Sequence, residues 1–308
     1  MTNLVHLYKG KVGPEEIDDL GHMNVRHYGE RALSATARLL STHGLDPRTC
    51  ESMRTSIELS DVYTRHLHEQ MEDASLAVMG GVLDVHDDGV RLYHELLNTE
   101  SDELAATFVH RVELRSLDRL SILPLPEIAA KSLRESTISW PEHGRPRSID
   151  LDRPASLLSL AEARERGLAL RKERSILQGE CDSSGSVPAF RRQDLVWGGE
   201  PIPPHSGGPP FLDLEDGSRM SMAALETRSQ ILEAPRLGMR IQSFSATVDV
   251  AKKTTIRRAW VFDVERERLL FSNTFVDIAL HLGKRRSIEI PAPMRARLEA
   301  NVHPDLRY

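Results

Sequence analysis

The fold is decided by residues 27–45, HYGERALSATARLLSTHGL, in which apolar side chains recur along one side of a helix. The recurrence has spacings of four, three and four residues, and its members are Tyr28, Ala32, Ala35 and Leu39. Such spacing places the four side chains on a single stripe. Gly44 and Pro47 follow, and both residue types are typical of helix ends. We therefore predict one amphipathic helix of about four turns.

Downstream of this helix the apolar pattern changes to a period of two, which is typical of strands. Val90, Leu92, His94 and Leu96 recur at every second position, and residues 104–114 repeat the alternation. Asp88-Gly89, which precedes the first of these runs, favours a hairpin with the apolar run before it. With a further strand expected near residues 4–12, the predicted class is α+β, an antiparallel β-sheet wrapped around one central helix.

The second half of the chain repeats features of the first half. Glu16, Asp18 and Gly21 recur 164 residues later as Glu180, Asp182 and Gly185. The tripeptide Thr107-Phe108-Val109 recurs at residues 274–276. An ordered series of such identities indicates an internal repeat. We therefore predict two tandem units, residues 1–130 and 169–308, joined by a linker over residues 131–168.

The second unit is expected to differ from the first in its helix. Strands are predicted at residues 241–250, 255–264 and 269–282, but helical character is confined to residues 189–197. The run that follows, residues 198–210, is so rich in glycine and proline that no helix can continue through it. A further short helix is predicted at residues 157–168, at the end of the linker.

Composition excludes several classes of protein. The chain has 308 residues and a formal net charge of −6, whereas a general nucleic-acid binder usually has a basic surface. Two cysteines, Cys50 and Cys181, cannot form a disulfide framework and fit a reducing compartment. No secretory signal is visible at the N-terminus, and no apolar run approaches the ~20 residues that span a bilayer. We expect a cytoplasmic protein that binds neither nucleic acid nor membranes.

The densest polar cluster lies just before the first helix, at residues 18–24, DDLGHMN. It contains a carboxylate, an imidazole and an amide, on Asp18, His22 and Asn24. A loop that enters a helix directs free N–H groups and the positive end of the helix dipole at whatever binds there. Such a place suits a developing oxyanion, with Asp18 as general base or nucleophile. The alternative is a turn in which Gly21 reverses the chain and Asp or Asn only caps the helix.

The pattern Asp18-x-x-Gly21-His22-x-Asn24-x-x-x-Tyr28 resembles the DxxGHxNxxxY signature of hotdog-fold acyl-CoA thioesterases of the 4-hydroxybenzoyl-CoA thioesterase type. It is also similar to the D-x-N-x-H-x-N loop of plant acyl-ACP thioesterases, with Leu20 in place of the first Asn. The resemblance implies two tandem hotdog units, a "double hotdog", and a thioester hydrolase. It covers residues 4–126 well and residues 170–291 weakly.

The same resemblance implies roles for the matching residues. Asp18 would attack the thioester carbonyl or activate water, while His22 and Asn24 would position water or substrate. The backbone around Gly21 and Val25 would polarise the carbonyl. Tyr28 would pack below the loop, at the substrate-binding side. The resemblance further implies no metal, no cofactor, an acyl-CoA or acyl carrier protein partner, and a homo-oligomer of the fused pseudo-dimer, with the cleft between paired units.

The second loop keeps Asp182 and Gly185 but has Ser186 where His22 stands and Pro188 where Asn24 stands. Three interpretations remain open: a degenerate structural copy, a site that handles substrate differently, or the competent site itself. Cys181 adjoins Asp182, which disfavours a thiolate nucleophile.

Two further groups of residues have both a functional and a structural interpretation. One of His66, His68 and His94 faces the substrate, or all three are hydrogen-bonded parts of the sheet. Lys284-Arg285-Arg286 binds the phosphates of CoA, or forms a solvated loop. Two other functions also stay open, a hotdog acyl-CoA hydratase or dehydratase and a non-catalytic acyl-CoA-binding protein. No GxSxG motif is present, which argues against a serine hydrolase.

Overall fold

The computed structural model describes residues 3–18, 21–118, 121–197 and 212–307. The chain divides into two compact units, Met1–Arg147 and Ser148–Tyr308. The boundary falls inside the segment expected to be a linker, residues 131–168. That segment is partly helical, because one helix of the first unit ends in it and one helix of the second unit lies within it.

Among its described residues, the first unit has five long strands, of which one precedes a long helix and four follow it. Its elements are β1 (Val5–Lys11), α1 (Val25–Thr42), α2 (Pro47–Ser52), β2 (Thr55–His66), β3 (Ser75–His86), β4 (Gly89–Asn98), β5 (Glu103–Ser116), β6 (Ile122–Leu123) and α3 (Glu127–Glu135). The long strands pair antiparallel in the order β1-β3-β4-β5-β2. The predicted hairpin is present, with His86 paired to Gly89 across the turn.

Helix α1 begins and ends close to the predicted positions. It starts at Val25, one residue after Asn24, whose side chain caps it, and it ends at Thr42 before Gly44, which has φ +81°. Its buried side chains follow the predicted stripe and extend it: Tyr28, Arg31, Ala32, Ala35, Thr36, Leu39 and Leu40. This face packs against β1, β3, β4 and β5. Burial of the stripe, rather than helix propensity, therefore holds α1 on the sheet.

The described part of the second unit also contains five long strands. Its elements are α4 (Leu160–Glu165), β7 (Ala169–Ser175), β8 (Leu212–Asp213), β9 (Arg219–Ile231), β10 (Arg240–Val250), β11 (Thr254–Asp263), β12 (Arg268–His281), β13 (Arg286–Ser287) and α5 (Ala292–Glu299). The long strands are ordered β7-β10-β11-β12-β9, which is again first, third, fourth, fifth and second along the chain. The architecture is thus a mixed one with extensive antiparallel sheet and few helices, consistent with the hotdog thioesterase fold.

The segment expected to be the helix of the second unit, residues 189–197, forms a seven-residue 3-10 helix, Ala189–Leu195. Pro188 precedes it, and a proline disfavours the helical conformation in the residue before it, which limits the helix at this end. The whole of the Gly- and Pro-rich run, residues 198–210, lies outside the described residues. The short helix expected at residues 157–168 is α4, which Ser159 caps in a capping box with Glu162.

Among the described residues, no helix has both the length and the apolar character that a membrane crossing requires.

Candidate active site

The loop before α1 is a tight turn that is closed by its own backbone. The N–H of Asp18 donates to the carbonyl of His22 over 2.9 Å, and the N–H of Gly21 donates to the carbonyl of Asp18 over 2.9 Å. Gly21 has φ +80°, a conformation that glycine adopts without the strain other residues suffer. Because the turn is this short, the side chains of Asp18 and His22 leave it side by side.

Asp18 and His22 form the centre of the candidate site. The Oδ1 of Asp18 lies 3.7 Å from Nδ1 of His22, and the two side chains are 23% and 12% exposed. The other ring nitrogen of His22, Nε2, lies 3.4 Å from Oε1 of Glu69. The imidazole therefore lies between two carboxylates, one from the loop and one from the segment after β2. Sequence analysis did not select Glu69.

The loop is tied to the sheet through a buried glutamine. The N–H of Met23 donates to the carbonyl of Gln70 over 2.7 Å. The side-chain Oε1 of Gln70, a residue that is only 2% exposed, accepts from Nδ2 of Asn98 at the end of β4. These bonds fix where Asp18 and His22 lie relative to the sheet. Gln70 is thus a supporting residue that the sequence motif does not contain.

A buried ion pair joins the loop to α1. The guanidinium of Arg31 donates to both oxygens of Glu16, over 2.8 and 2.7 Å, and Arg31 is 4% exposed. Burial opposes ionisation of Glu16, but the hydrogen bonds from Arg31 and from the N–H of Gly13 outweigh it and hold the pKa of Glu16 below its usual value. A two-point arginine–carboxylate contact is geometrically specific, so the angle between loop and helix is fixed.

The start of α1 lies at the end of the loop. The side-chain oxygen of Asn24 accepts from the N–H of Arg26 over 3.1 Å, which is an N-cap contact. The side-chain oxygen of Asn24 is therefore engaged in capping the helix. Val25 is the first helical residue, and N–H groups in this position have no partner within the helix. The positive end of the helix dipole is here too.

Tyr28 lies beneath the loop, with 3% exposure. Its hydroxyl donates to the carbonyl of His68 over 3.1 Å, and burial raises the pKa of that hydroxyl above its ordinary value. Its ring meets the ring of His66 edge-on, with centroids 5.6 Å apart. Burial lowers the pKa of His66 to about 4, so His66 is neutral at physiological pH. Tyr28 and His66 are therefore an uncharged pair of rings beneath the loop.

The other two histidines have hydrogen-bond partners, His68 in the segment after β2 and His94 on β4. His68 Nδ1 is 2.9 Å from the carbonyl of Leu104. His94 and His110 are buried, and a single hydroxyl, that of Thr36 on α1, lies 2.8 Å from one ring and 2.7 Å from the other. Burial, with the neighbouring imidazole for His94, lowers the pKa of both rings.

One group of potential metal ligands lies near the helix start. Ligand atoms of Glu16, His27 and Glu30 lie within 4.8 Å of one another. Both oxygens of Glu16 already accept hydrogen bonds from Arg31, which leaves the group poorly suited to a cation.

The loop of the second unit has the same backbone. The N–H of Asp182 donates to the carbonyl of Ser186 over 2.9 Å, the N–H of Gly185 donates to the carbonyl of Asp182 over 3.0 Å, and Gly185 has φ +76°. The side chains differ. Asp182 is exposed, and its Oδ1 accepts from the N–H and the hydroxyl of Ser184.

The basic run at residues 284–286 and the two cysteines were the remaining candidates from the sequence. Lys284 is exposed, and its Nζ lies 3.8 Å from a carboxylate oxygen of Asp216. Arg286 belongs to the short strand β13, paired with His281. Burial raises the pKa of both thiols, Cys50 and Cys181, which disfavours a thiolate at either position.

Comparison with known proteins supports the motif. Residues 12–133 match the model of the thioesterase-like superfamily. No curated protein matches the sequence. The chain is similar in structure to an acyl-ACP thioesterase from Bacteroides thetaiotaomicron VPI-5482, with a TM-score of 0.66 and 11% identity over 89% of this chain and 97% of that one. It is also similar to the 12:0-ACP thioesterase from Umbellularia californica, with a TM-score of 0.65 and 7% identity over 90% of this chain and 94% of that one.

At such identities the structural likeness shows the fold. The family match, which covers the loop and α1, confirms the resemblance to thioesterases that residues 18–28 indicated, and the class of enzyme is that of a thioester hydrolase.

Proposed function

Because residues 12–133 match a thioesterase-like family, we propose that the chain is an acyl thioesterase built from two tandem hotdog units, with Asp18 of the first unit as its catalytic carboxylate. The substrate is an acyl thioester of coenzyme A or of a carrier protein. The reaction adds water across the thioester bond and yields a carboxylate and a free thiol.

The observation that carries this proposal is the placement of Asp18. Its half-buried carboxylate lies beside His22, at the entrance to the long helix α1. In this arrangement Asp18 accepts a proton from water while the water oxygen attacks the thioester carbonyl carbon. The carbonyl oxygen becomes an oxyanion, and the backbone N–H of Val25 with the helix dipole stabilises it. Collapse of the intermediate breaks the C–S bond, and the thiolate leaves with that proton.

His22 acts through Asp18 as a positioning residue. One ring nitrogen faces Asp18 at 3.7 Å and the other faces Glu69 at 3.4 Å, so the ring is held in one orientation between them. A His22→Gln substitution keeps a polar side chain but changes this geometry. We expect kcat to fall while KM changes little, because the interaction is with the reacting carboxylate rather than with the bound acyl group.

The second unit supports the tandem arrangement and differs in chemistry. Its strand order repeats that of the first unit, and the backbone bonds of its loop repeat those around Asp18. Asp182, however, is exposed, has Ser186 as its neighbour in place of a histidine, and is followed by a seven-residue 3-10 helix. We interpret this loop as a structural copy without catalytic function.

The test is a hydrolysis assay over a panel of acyl-CoA and acyl-ACP thioesters of different chain lengths, with detection of the released thiol. The expected result is turnover by the wild type on at least one thioester and loss of turnover in Asp18→Asn. Binding of acyl-CoA without thiol release contradicts the proposal and favours a binding protein. Hydration of an enoyl-CoA without thiol release contradicts it as well and favours a hydratase.

A further inference from the structure

The second unit contains a cavity of about 220 Å³ on its sheet, away from both loops in sequence. We call it the arginine cavity, because four of the side chains that line it are arginines: Arg153, Arg228, Arg258 and Arg307. A single carboxylate, that of Asp150, is among the lining residues. Among the described residues that line it, positive charge therefore exceeds negative charge.

Arg258 is the unusual member of this set. It lies on β11 with 8% exposure, and its Nε and Nη1 are buried without a hydrogen-bond partner among the described residues. Burial, together with the nearby charges of Arg153 and Arg228, lowers the pKa of Arg258 from its ordinary value. Burial of a cation with unmet donors is unfavourable unless an anion compensates it.

The other arginines of the cavity have acceptors. Arg228 donates to the carbonyls of Asp150 and Leu151, over 2.7 Å each. Arg153 donates to the carboxylate of Asp150 over 3.3 Å. Arg307, outside the sheet, lies 3.4 Å from the carboxylate of Asp249. Glu226, a buried carboxylate on β9, accepts from the N–H groups of Ser148 and Ile149, which also line the cavity. These contacts of the three carboxylates are thus with groups other than Arg258.

The first unit has a different residue at the position that corresponds to Arg258. In β12, Thr274 pairs with Arg228 on one side and with Arg258 on the other. In β5, the corresponding residue Thr107 pairs with Arg65 on one side and with Glu95 on the other.

Arg65 and Arg228, which pair with the two threonines from the same side, make the same kind of contact. Arg65 donates to the backbone carbonyls of His143 and Arg145, and Arg228 donates to two backbone carbonyls of its own unit. Glu95, in contrast, accepts from the hydroxyl of Tyr93 over 2.8 Å and lies 2.6 Å from Nε2 of His143. At this strand position the carboxylate of the first unit is therefore replaced by a guanidinium in the second.

We propose that the arginine cavity is an anion-binding site that takes a phosphate group, either free or as an ester, on the guanidinium of Arg258. A guanidinium offers charged N–H donors on more than one edge, and several arginines around one anion are typical of phosphate sites. The volume is well above the ~30 Å³ that one water occupies, so it admits an anion of several atoms. This site is independent of the proposed hydrolysis at Asp18.

The test measures thermal stability and calorimetric binding with inorganic phosphate, pyrophosphate and adenosine monophosphate, at constant ionic strength set with chloride and without any thioester. Since a ligand that binds only the folded state stabilises it, we expect the wild-type Tm to rise by a few degrees. Binding of inorganic phosphate identifies free phosphate as a sufficient ligand, and binding of the monophosphate alone identifies an ester.

Three variants make the test specific. Arg258→Met is expected to weaken binding at least tenfold and to lose the Tm shift. Arg307→Gln, at a partly exposed arginine of the same cavity, tests the site with less risk to folding and is expected to weaken binding several-fold. Arg266→Met removes an exposed arginine that pairs with Glu233 outside the cavity, and is expected to bind like the wild type. The proposal is wrong if none of the three anions binds, or if binding is equal in Arg258→Met and Arg266→Met.

Discussion

The loops at Asp18 and Asp182 have one backbone and two different surroundings. Both are closed by the same pair of N–H to carbonyl bonds and turn at a glycine with positive φ. Only the first leads, through the Asn24 cap, into an 18-residue helix and holds a histidine beside its carboxylate. The comparison teaches that the turn is a structural frame, and that the chemistry depends on what the frame is attached to.

The two sheets also differ in the side chains at corresponding positions of neighbouring strands. In the first unit His94 and His110 share the hydroxyl of Thr36. By strand register the corresponding residues of the second unit are Arg257 and Asp277, which form an ion pair of 2.7 Å. One unit has a neutral polar core that α1 covers, and the other has a charged one.

The largest expected effect concerns the ion pairs that hold the loops. Arg31 and Glu16 have side chains 5% and 12% exposed. Glu180, which corresponds to Glu16, pairs instead with Arg174 of strand β7, and these two side chains are 18% and 27% exposed. Arg31→Met strands a buried carboxylate and is expected to cost about 3–5 kcal/mol of unfolding free energy. Arg174→Met leaves its partner more hydrated and is expected to cost about 1 kcal/mol. Urea denaturation measures both, and equal losses would contradict the difference in burial.

The next effect is the response of the first unit to acid. In an unfolded chain the pKa of histidine is near 6.5, and burial lowers that of His110 to about 4 in the folded protein. Because the unfolded state binds the proton more readily, stability is complete above pH 6.5 and falls as the pH drops towards 4, by at most about 1.4 kcal/mol per pH unit for this group.

His110→Gln is expected to flatten this acid limb, whereas His68→Gln, at an exposed histidine, is expected to leave it unchanged. Hydrogen exchange between pH 7 and 4.5 shows which unit loses stability, because α1 amides report on the first unit and β11 amides on the second. Greater loss of protection in β11 than in α1 would show that the sensitivity does not come from the histidine pair.

The smallest expected effect sharpens the comparison of the loops. Gly21→Ala and Gly185→Ala each place a side chain at positive φ, at a cost of about 1 kcal/mol. We expect the two variants to lose similar stability in thermal denaturation. Thioester hydrolysis is expected to fall only in Gly21→Ala, since only that turn positions Asp18. A matching fall in Gly185→Ala would show that the second loop contributes to catalysis.

Much of this fold was readable from local patterns. Strands β10, β11 and β12 lie within one residue of their predicted bounds and helix α1 within three, since each has strong apolar periodicity or clear turn residues. Strand β9 was not predicted, because its sequence mixes small, polar and apolar residues with little alternation.

The residues missing from the predicted site are those that approach it from elsewhere in the chain. Asp18 and His22 were selected from their motif, but Glu69 and Gln70 meet the loop only through the path of β2. A signal exists, since HLHEQ follows directly after a strand, yet nothing local says which loop it meets. Long-range contact of this kind is set by tertiary packing rather than by spacing.

The central claim is that the first loop is catalytic and the second is structural. The most direct measurement is kcat of Asp18→Asn and Asp182→Asn on the same acyl thioester, with circular dichroism to verify that both variants fold. Loss of a general base typically costs 10²–10⁴-fold, so we expect kcat to fall at least 10²-fold in Asp18→Asn and to stay within about twofold in Asp182→Asn. Full activity of Asp18→Asn, or a comparable loss in Asp182→Asn, would contradict the account.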